Sequence, residues 1–109
     1  MKSPKIVIRY AISHKDVIGV RKFTFNPEHN HYVSMEDAEI AIELYKPQLL
    51  GRTLTQEQIE SLEPVRIECY ENGYCIRMLL SDKQEKEVMD ALRKYAHENT
   101  KKYGEYRND

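Results

Sequence analysis

Tryptophan is absent from this 109-residue chain, phenylalanine occurs twice and cysteine twice. Two cysteines are too few for the disulfide framework of a small secreted scaffold. The four glycines (Gly19, Gly51, Gly73, Gly104) are isolated from one another, which excludes a Gly-rich loop cradling phosphates. No apolar run approaches the ~18 residues of a membrane span. Net charge is nearly missing too. With 17 basic and 18 acidic residues the formal total is −1, which excludes a uniformly basic nucleic-acid protein and a polyacidic tail. What is present is an apolar share of 40%, which together with the low net charge excludes a disordered chain. The length suits one domain.

Alternation and turn residues predict the elements. Residues 5–13 read as a strand, with Ile6, Ile8, Tyr10 and Ile12 on one face and Lys5, Val7, Arg9, Ala11 and Ser13 on the other. Residues 14–16 form a turn and 17–25 a second strand, bulged near Arg21-Lys22. Residues 26–33 read as a loop. Ser34 is an N-cap for a helix that carries Met35, Ala38, Ala41, Ile42, Tyr45 and Leu49 at helical spacing, and Pro47 ends or kinks it. Thr55-Gln-Glu-Gln58 is a capping box opening a short helix that Pro64 stops.

Residues 65–71 and 74–80 form a hairpin about Asn72-Gly73, read as a two-residue type I′ turn. That turn sets Tyr70 opposite Cys75, Cys69 opposite Ile76, Glu68 opposite Arg77 and Ile67 opposite Met78. Val65, Ile67, Cys69, Ile76, Met78 and Leu80 then face the core. Cys69 and Cys75 fall on opposite faces and should not bridge. Ser81 caps a last helix over 82–101, with Val88, Met89, Leu92, Tyr95, Ala96 and Tyr103 along its apolar stripe.

The expected fold is therefore α+β in two layers. It has an antiparallel four-stranded sheet, the order β-β-α-(α)-β-β-α, and helices packed on one face. Residues 1–103 form one domain and 104–109 a frayed tail. Tyr32, Tyr45, Tyr95 and Tyr103 are expected at the rim between helices and sheet.

Charge is segregated along the chain. Residues 1–25 carry a net +5, residues 26–64 a net −6, and the remainder balances. If the helices cover one face, the open face carries Lys5, Arg9, Arg66 and Arg77, with Arg21 or Lys22, against the single acid Glu68. Tyr70 adds an aromatic ring, so this set is a candidate partner-binding face, for protein or for single-stranded nucleic acid. Glu36, Asp37, Glu39 and Glu43 make the following helix a candidate acidic docking surface.

Catalytic chemistry finds little support. His29 and His31 project to one side of an extended loop and, with Glu28 or His14, could ligate a metal. Cys75 has no histidine base near it in sequence, so nucleophilic catalysis lacks its partner. No catalytic residue and no cofactor are expected. The first residues, Met1-Lys2-Ser3-Pro4, run into a strand without a signal-peptide layout, so a reducing cytoplasm is the expected compartment. The leading expectation is a small non-enzymatic module, regulatory or inhibitory, of bacterial or bacteriophage type. It would bind a protein partner through its charge-polarised surface, with a homodimer open to it and no membrane. The alternatives are single-stranded nucleic acid on the basic face and metal-dependent activity in the Glu28–His31 loop.

Overall fold

The computed structural model describes residues 4–106 of the chain, with side chains described through residue 99. Eight elements follow one another: β1 (Ile6–Lys15), β2 (Arg21–Phe23), β3 (His31–Tyr32), α1 (Met35–Leu49), α2 (Gln56–Glu60), β4 (Glu63–Tyr70), β5 (Cys75–Leu79) and α3 (Asp82–Tyr106). The protein is α+β, with an antiparallel sheet curled into a half-barrel. Its strand order is β2-β1-β4-β5, and β3 pairs with β1 beyond the end of β2. No helix among the described residues is long and apolar enough to cross a membrane.

The expected second strand contracts to Arg21–Phe23, for a local reason. The Asp16 carboxylate accepts from the backbone N–H groups of Ile18, Gly19 and Val20 at 2.9–3.0 Å. That side chain supplies the backbone's partners, so residues 16–20 turn and do not pair in the sheet. Gly19 has φ +104°, and a Cβ there would lie 2.8 Å from the Ala91 Cβ of α3. The absent side chain is what lets α3 approach this turn.

The helix caps follow the sequence. Ser34 Oγ accepts from Asp37 N, Thr55 and Gln58 complete a capping box, and Ser81 does the same with Gln84. Pro47 does not end α1, which runs on to Leu49. The last helix does not stop at 101. It continues through Tyr106, so residues 104–106 are helical, and the expected frayed tail at 107–109 lies outside the described residues. The expected place of Tyr103 on the stripe also lies outside the described side chains.

Two apolar clusters form on the two sides of β1. Ile12 packs with Ala41, Ile42, Leu49, Leu54, Ile59 and Leu62, which places α1 and α2 on its side. Its neighbour Ala11 packs with Val65, Ile67 and Cys69, joined by Val7, Phe23, Cys75, Met78 and Leu80. Adjacent strand residues point to opposite faces, so the sheet is buried on both sides there. The helices divide accordingly. The first turns of α3 attach on the Ala11 side, through Gln84 to Glu63 and Pro64 and through Glu87 to Lys15.

Candidate functional site

The expected basic sheet face is not assembled. In an antiparallel pair, directly opposed residues project to one face. Ile8 opposes Glu68, Arg9 opposes Ile67, and Tyr10 opposes Arg66. Arg66, Tyr70 and Arg77 therefore share a face with Ile6, Ile8 and Tyr10, while Arg9 lies on the opposite face with Val65 and Ile67. Lys22 opposes His14 and joins the Ile12 face, whereas Arg21 opposes Lys15 and joins the Ala11 face. Lys5 precedes β1, and its carbonyl accepts from Glu71 N at 2.8 Å. The seven residues are thus split between two faces. A one-residue change in the β1–β4 register exchanges every side chain between faces, and that register joins segments some fifty residues apart.

Arg21 is only 5% exposed and plays a structural part. Its guanidinium pairs with Glu63 at 3.1 Å and donates to Ser13 Oγ at 3.1 Å and to the Ser61 carbonyl at 3.0 Å. Gln84 Nε2 donates to Glu63 and to the Pro64 carbonyl. This knot ties β1, β2, the end of α2, β4 and the start of α3 together. Burial pulls the Arg21 guanidinium down from its ordinary range, opposed by Glu63 and Glu87. Beside it, burial and then Arg21 hold the His14 imidazole below its ordinary value, against a raising influence from Asp16.

The hairpin also departs from expectation. Among the described residues, positive φ occurs only at Gly19, Gly51 and Gly73. A type I′ turn needs positive φ at both central residues, so Asn72 excludes it. Instead Gly73 N donates to the Tyr70 carbonyl at 2.8 Å and Tyr70 N to the Tyr74 carbonyl at 2.9 Å. This is a three-residue loop with Gly73 in the left-handed position. The loop shifts the nearby register by one, so Cys69 opposes Cys75 and not Ile76. A bulge between Glu68 and Cys69 absorbs the shift and restores Glu68 opposite Arg77. Ile76, expected in the core, is 38% exposed. Cys69 and Cys75 are free thiols in register on one face, which corrects the expectation of opposite faces. Burial, then Cys69 and Glu28, push the Cys75 thiol up, the wrong direction for a nucleophile at neutral pH.

The histidine loop does not gather a metal site. His31 Nδ1 contacts the Pro27 carbonyl at 2.8 Å, and His14 Nδ1 contacts Thr24 Oγ1 at 2.8 Å. Among the described residues no three His, Cys, Asp or Glu side chains come together in a group that could hold a metal. Glu28, His29 and His31 therefore do not form the expected ligand set. An open hollow of about 550 Å³ lies between the 16–19 turn and α2, and of its lining residues Asp16 is engaged in the turn and Thr55 and Gln58 in the α2 cap.

Two apolar surfaces appear instead on the helices. On α1, Ile40 is 61% exposed and Leu44 is 68% exposed. They lie one turn apart, and Glu36, Asp37 and Glu43 rim them. Together with Tyr32 and Tyr45 they line an open groove of about 660 Å³. Tyr45 stacks on Phe25 with ring centroids 4.6 Å apart, and its hydroxyl accepts from Asn30 Nδ2 at 3.4 Å, so the groove wall is held from behind. Three of the four acids of the sequence reading, Glu36, Asp37 and Glu43, thus frame an apolar strip, with Glu43 ion-paired to Lys46 at 2.7 Å. A signal for it was present: Ile40 and Leu44 are large apolar residues off the buried stripe of α1. On α3, Met89, Leu92 and Tyr95 are each between 41% and 47% exposed. The expected stripe is there, but the sheet does not cover it. Against known protein families, curated proteins and solved structures, the chain matches none.

Proposed function

We propose that this protein is a small protein-binding module, regulatory or inhibitory in kind, whose partner surface is the acid-rimmed apolar strip of α1. One observation carries the reading. Ile40 and Leu44 stand in water side by side while Glu36, Asp37 and Glu43 surround them. Large apolar side chains on an otherwise charged helix face mark an interaction site, because exposing them has a solvation cost and no folding benefit. An apolar groove on a packed helix fits an amphipathic partner helix, and the acids select a basic one. The free thiols fit a reducing compartment.

The test is binding of a synthetic leucine–lysine amphipathic helical peptide, followed by backbone amide shifts. The largest shifts should fall on residues 36–48, and Ile40→Glu should remove them. A leucine–glutamate peptide of the same pattern should leave the spectrum unchanged. Binding that ignores Ile40→Glu, or no binding of the basic peptide, rejects the reading.

A second reading, single-stranded nucleic acid, draws on the part of the sheet that carries Ile6, Ile8 and Tyr10. Tyr70 and Tyr74 have ring centroids 6.3 Å apart, and Arg66 and Arg77 share the Tyr70 face. Paired aromatics beside arginines are the elements of a base-stacking platform. Arg77 is ion-paired with Glu68 at 3.1 Å, which reduces the free positive charge. A steep negative salt slope for single-stranded RNA, shallower in Arg66→Glu, would support it, and no RNA binding at low salt would end it.

A further inference from the structure

We infer that Cys69 and Cys75 are a redox modification site: a thiol pair that closes within the chain as a disulfide by exchange with a small-molecule disulfide. The chain has only two cysteines, and the fold sets them directly opposite one another across β4 and β5. Directly opposed residues of an antiparallel pair project to one face. Both thiols are free, and Cys75 packs against the cluster that contains Cys69.

The hydrogen bonds of the loop fix the kind of rung they occupy. Tyr70 N donates to the Tyr74 carbonyl at 2.9 Å, so the pair nearest the loop is hydrogen-bonded. Bonded and unbonded pairs alternate along an antiparallel ladder, which makes the next rung, Cys69 and Cys75, an unbonded one. Unbonded pairs have Cα atoms about 4.5 Å apart, within the ~4.4–6.8 Å that a disulfide spans. The rung lies between the Gly73 loop and the Glu68/Cys69 bulge. Irregular backbone on both flanks lets the two Cα atoms adjust without moving the rest of the ladder.

Exposure assigns the two sulfurs different parts. Cys69 is 1% exposed, whereas Cys75 is only half-buried and meets solvent first. The oxidant is a low-molecular-weight disulfide, of which glutathione disulfide is the probe. Cys75 Sγ loses its proton and attacks one glutathione sulfur. The glutathione S–S bond breaks, and one glutathione leaves as a thiolate and is protonated. Cys69 Sγ then loses its proton and attacks the Cys75 sulfur of the mixed disulfide, releasing the second glutathione as a thiol. Two protein thiols are oxidised, and one glutathione disulfide is reduced to two thiols. Burial, then Cys69 and Glu28, push the Cys75 thiol up, so closure is slow at neutral pH. A modification of this kind needs one event per change of state and no turnover.

The experiment exposes the reduced full chain to graded ratios of glutathione disulfide to glutathione in mildly alkaline buffer. Acid quenching, alkylation and intact mass follow. Wild type should become a monomer two hydrogens lighter than the dithiol and closed to alkylation. Chymotrypsin cuts after Tyr70 and Tyr74, and the two flanking peptides should stay joined until reduced. Cys69→Ala should stop at one glutathione on Cys75, and Cys75→Ala should take up glutathione at least about tenfold more slowly. At one fixed glutathione ratio, the disulfide-to-dithiol ratio should be at least about tenfold higher in the native chain than in concentrated urea. Should Cys69→Ala fail to fold, the native-against-urea comparison on wild type decides.

A native wild-type chain that stops at the glutathione adduct, or takes up nothing, overturns the inference. So does a bond that forms only in urea, or one that links two chains. The groove on α1 has no part in these outcomes, so its reading stands or falls separately.

Discussion

Around Arg21 the charged groups have partners and little water, whereas along α1 and α3 apolar groups have water and no partners. At the first place a guanidinium is nearly sealed from solvent and satisfied by Glu63, Ser13 and the Ser61 carbonyl. At the second, Ile40, Leu44, Met89, Leu92 and Tyr95 stand exposed on well-formed helices. The contrast inverts the usual placement of charge and apolarity. It indicates that the charges legible in the N-terminal strands serve folding in part, while the helical faces keep large apolar side chains in water. The sheet's centre, with Ala11, Val65, Ile67 and Cys69 at 0–1% exposure, supports both.

The comparison breaks most visibly at the centre. Ile67→Ala should cost about 3–4 kcal/mol in chemical denaturation, because the tightly packed site cannot collapse onto the missing atoms. Arg21→Ala should cost about 3 kcal/mol, since it removes a buried charge, leaves the Ser61 carbonyl without this donor and takes from Glu63 its ion-pair partner at 3.1 Å. A loss below about 1 kcal/mol would mean that the knot is a surface feature, and the contrast would dissolve. Gly19→Ala should cost about 2 kcal/mol, from its left-handed backbone and from the close approach of Ala91. At the other pole, Ile40→Glu should change stability by less than about 0.5 kcal/mol while abolishing peptide binding. Arg77→Ala, which breaks only the exposed pair with Glu68, should stay within about 0.5 kcal/mol as well.

Acidification sharpens the same contrast without mutation. His14, Asp16 and Glu87 all sit beside the Arg21 region, and all have folded values below their ordinary ones. For His14 the cause is burial, then Arg21. For Asp16 burial acts upward but is outweighed by the N–H groups of Val20, Ile18 and Gly19 and by Lys22. For Glu87 the leading cause is the hydrogen bond from Lys15, with burial opposing it and Lys15, Lys83 and Arg21 adding to it. A group whose value is depressed by folding contributes stability above its unfolded value and loses it as pH falls toward the folded one. Stability should therefore decline below the ordinary imidazole range and again below the ordinary carboxylate range. His14→Gln should remove the first step, and Asp16→Asn should diminish the second. Native-state alkylation of Cys75 should keep accelerating above the pH at which an ordinary thiol levels off, because its value is raised by burial, by Cys69 and by Glu28.

How far the sequence was readable varies by element. The three helices were legible because their caps and spacings are local: Ser34, Thr55 with Gln58, and Ser81 each act within three residues. The inner part of the hairpin was legible too, and Glu68 opposes Arg77 as expected. Its turn was not, because Asn-Gly suits more than one loop and the choice depends on how the strands twist into the sheet. The candidate basic face failed for a related reason. Alternation along β1 and along β4 is visible in each strand, but nothing in either says which parity of one meets which parity of the other. The surfaces on α1 and α3 were half legible. Their acidic and apolar residues were recognised, but whether another element covers them is a long-range question.

Sequence alone determined an α+β domain, the capped helices, the hairpin and the opposition of a +5 and a −6 segment, since each depends on neighbours within a few residues or on composition. Tertiary structure decided the β1–β4 register, the burial of Arg21, the facing of Cys69 and Cys75, and the exposure of Ile40, Leu44 and Leu92. These depend on which distant segments pack together. A one-residue slip or the side of the sheet a helix takes reverses their outcome while leaving every local preference satisfied.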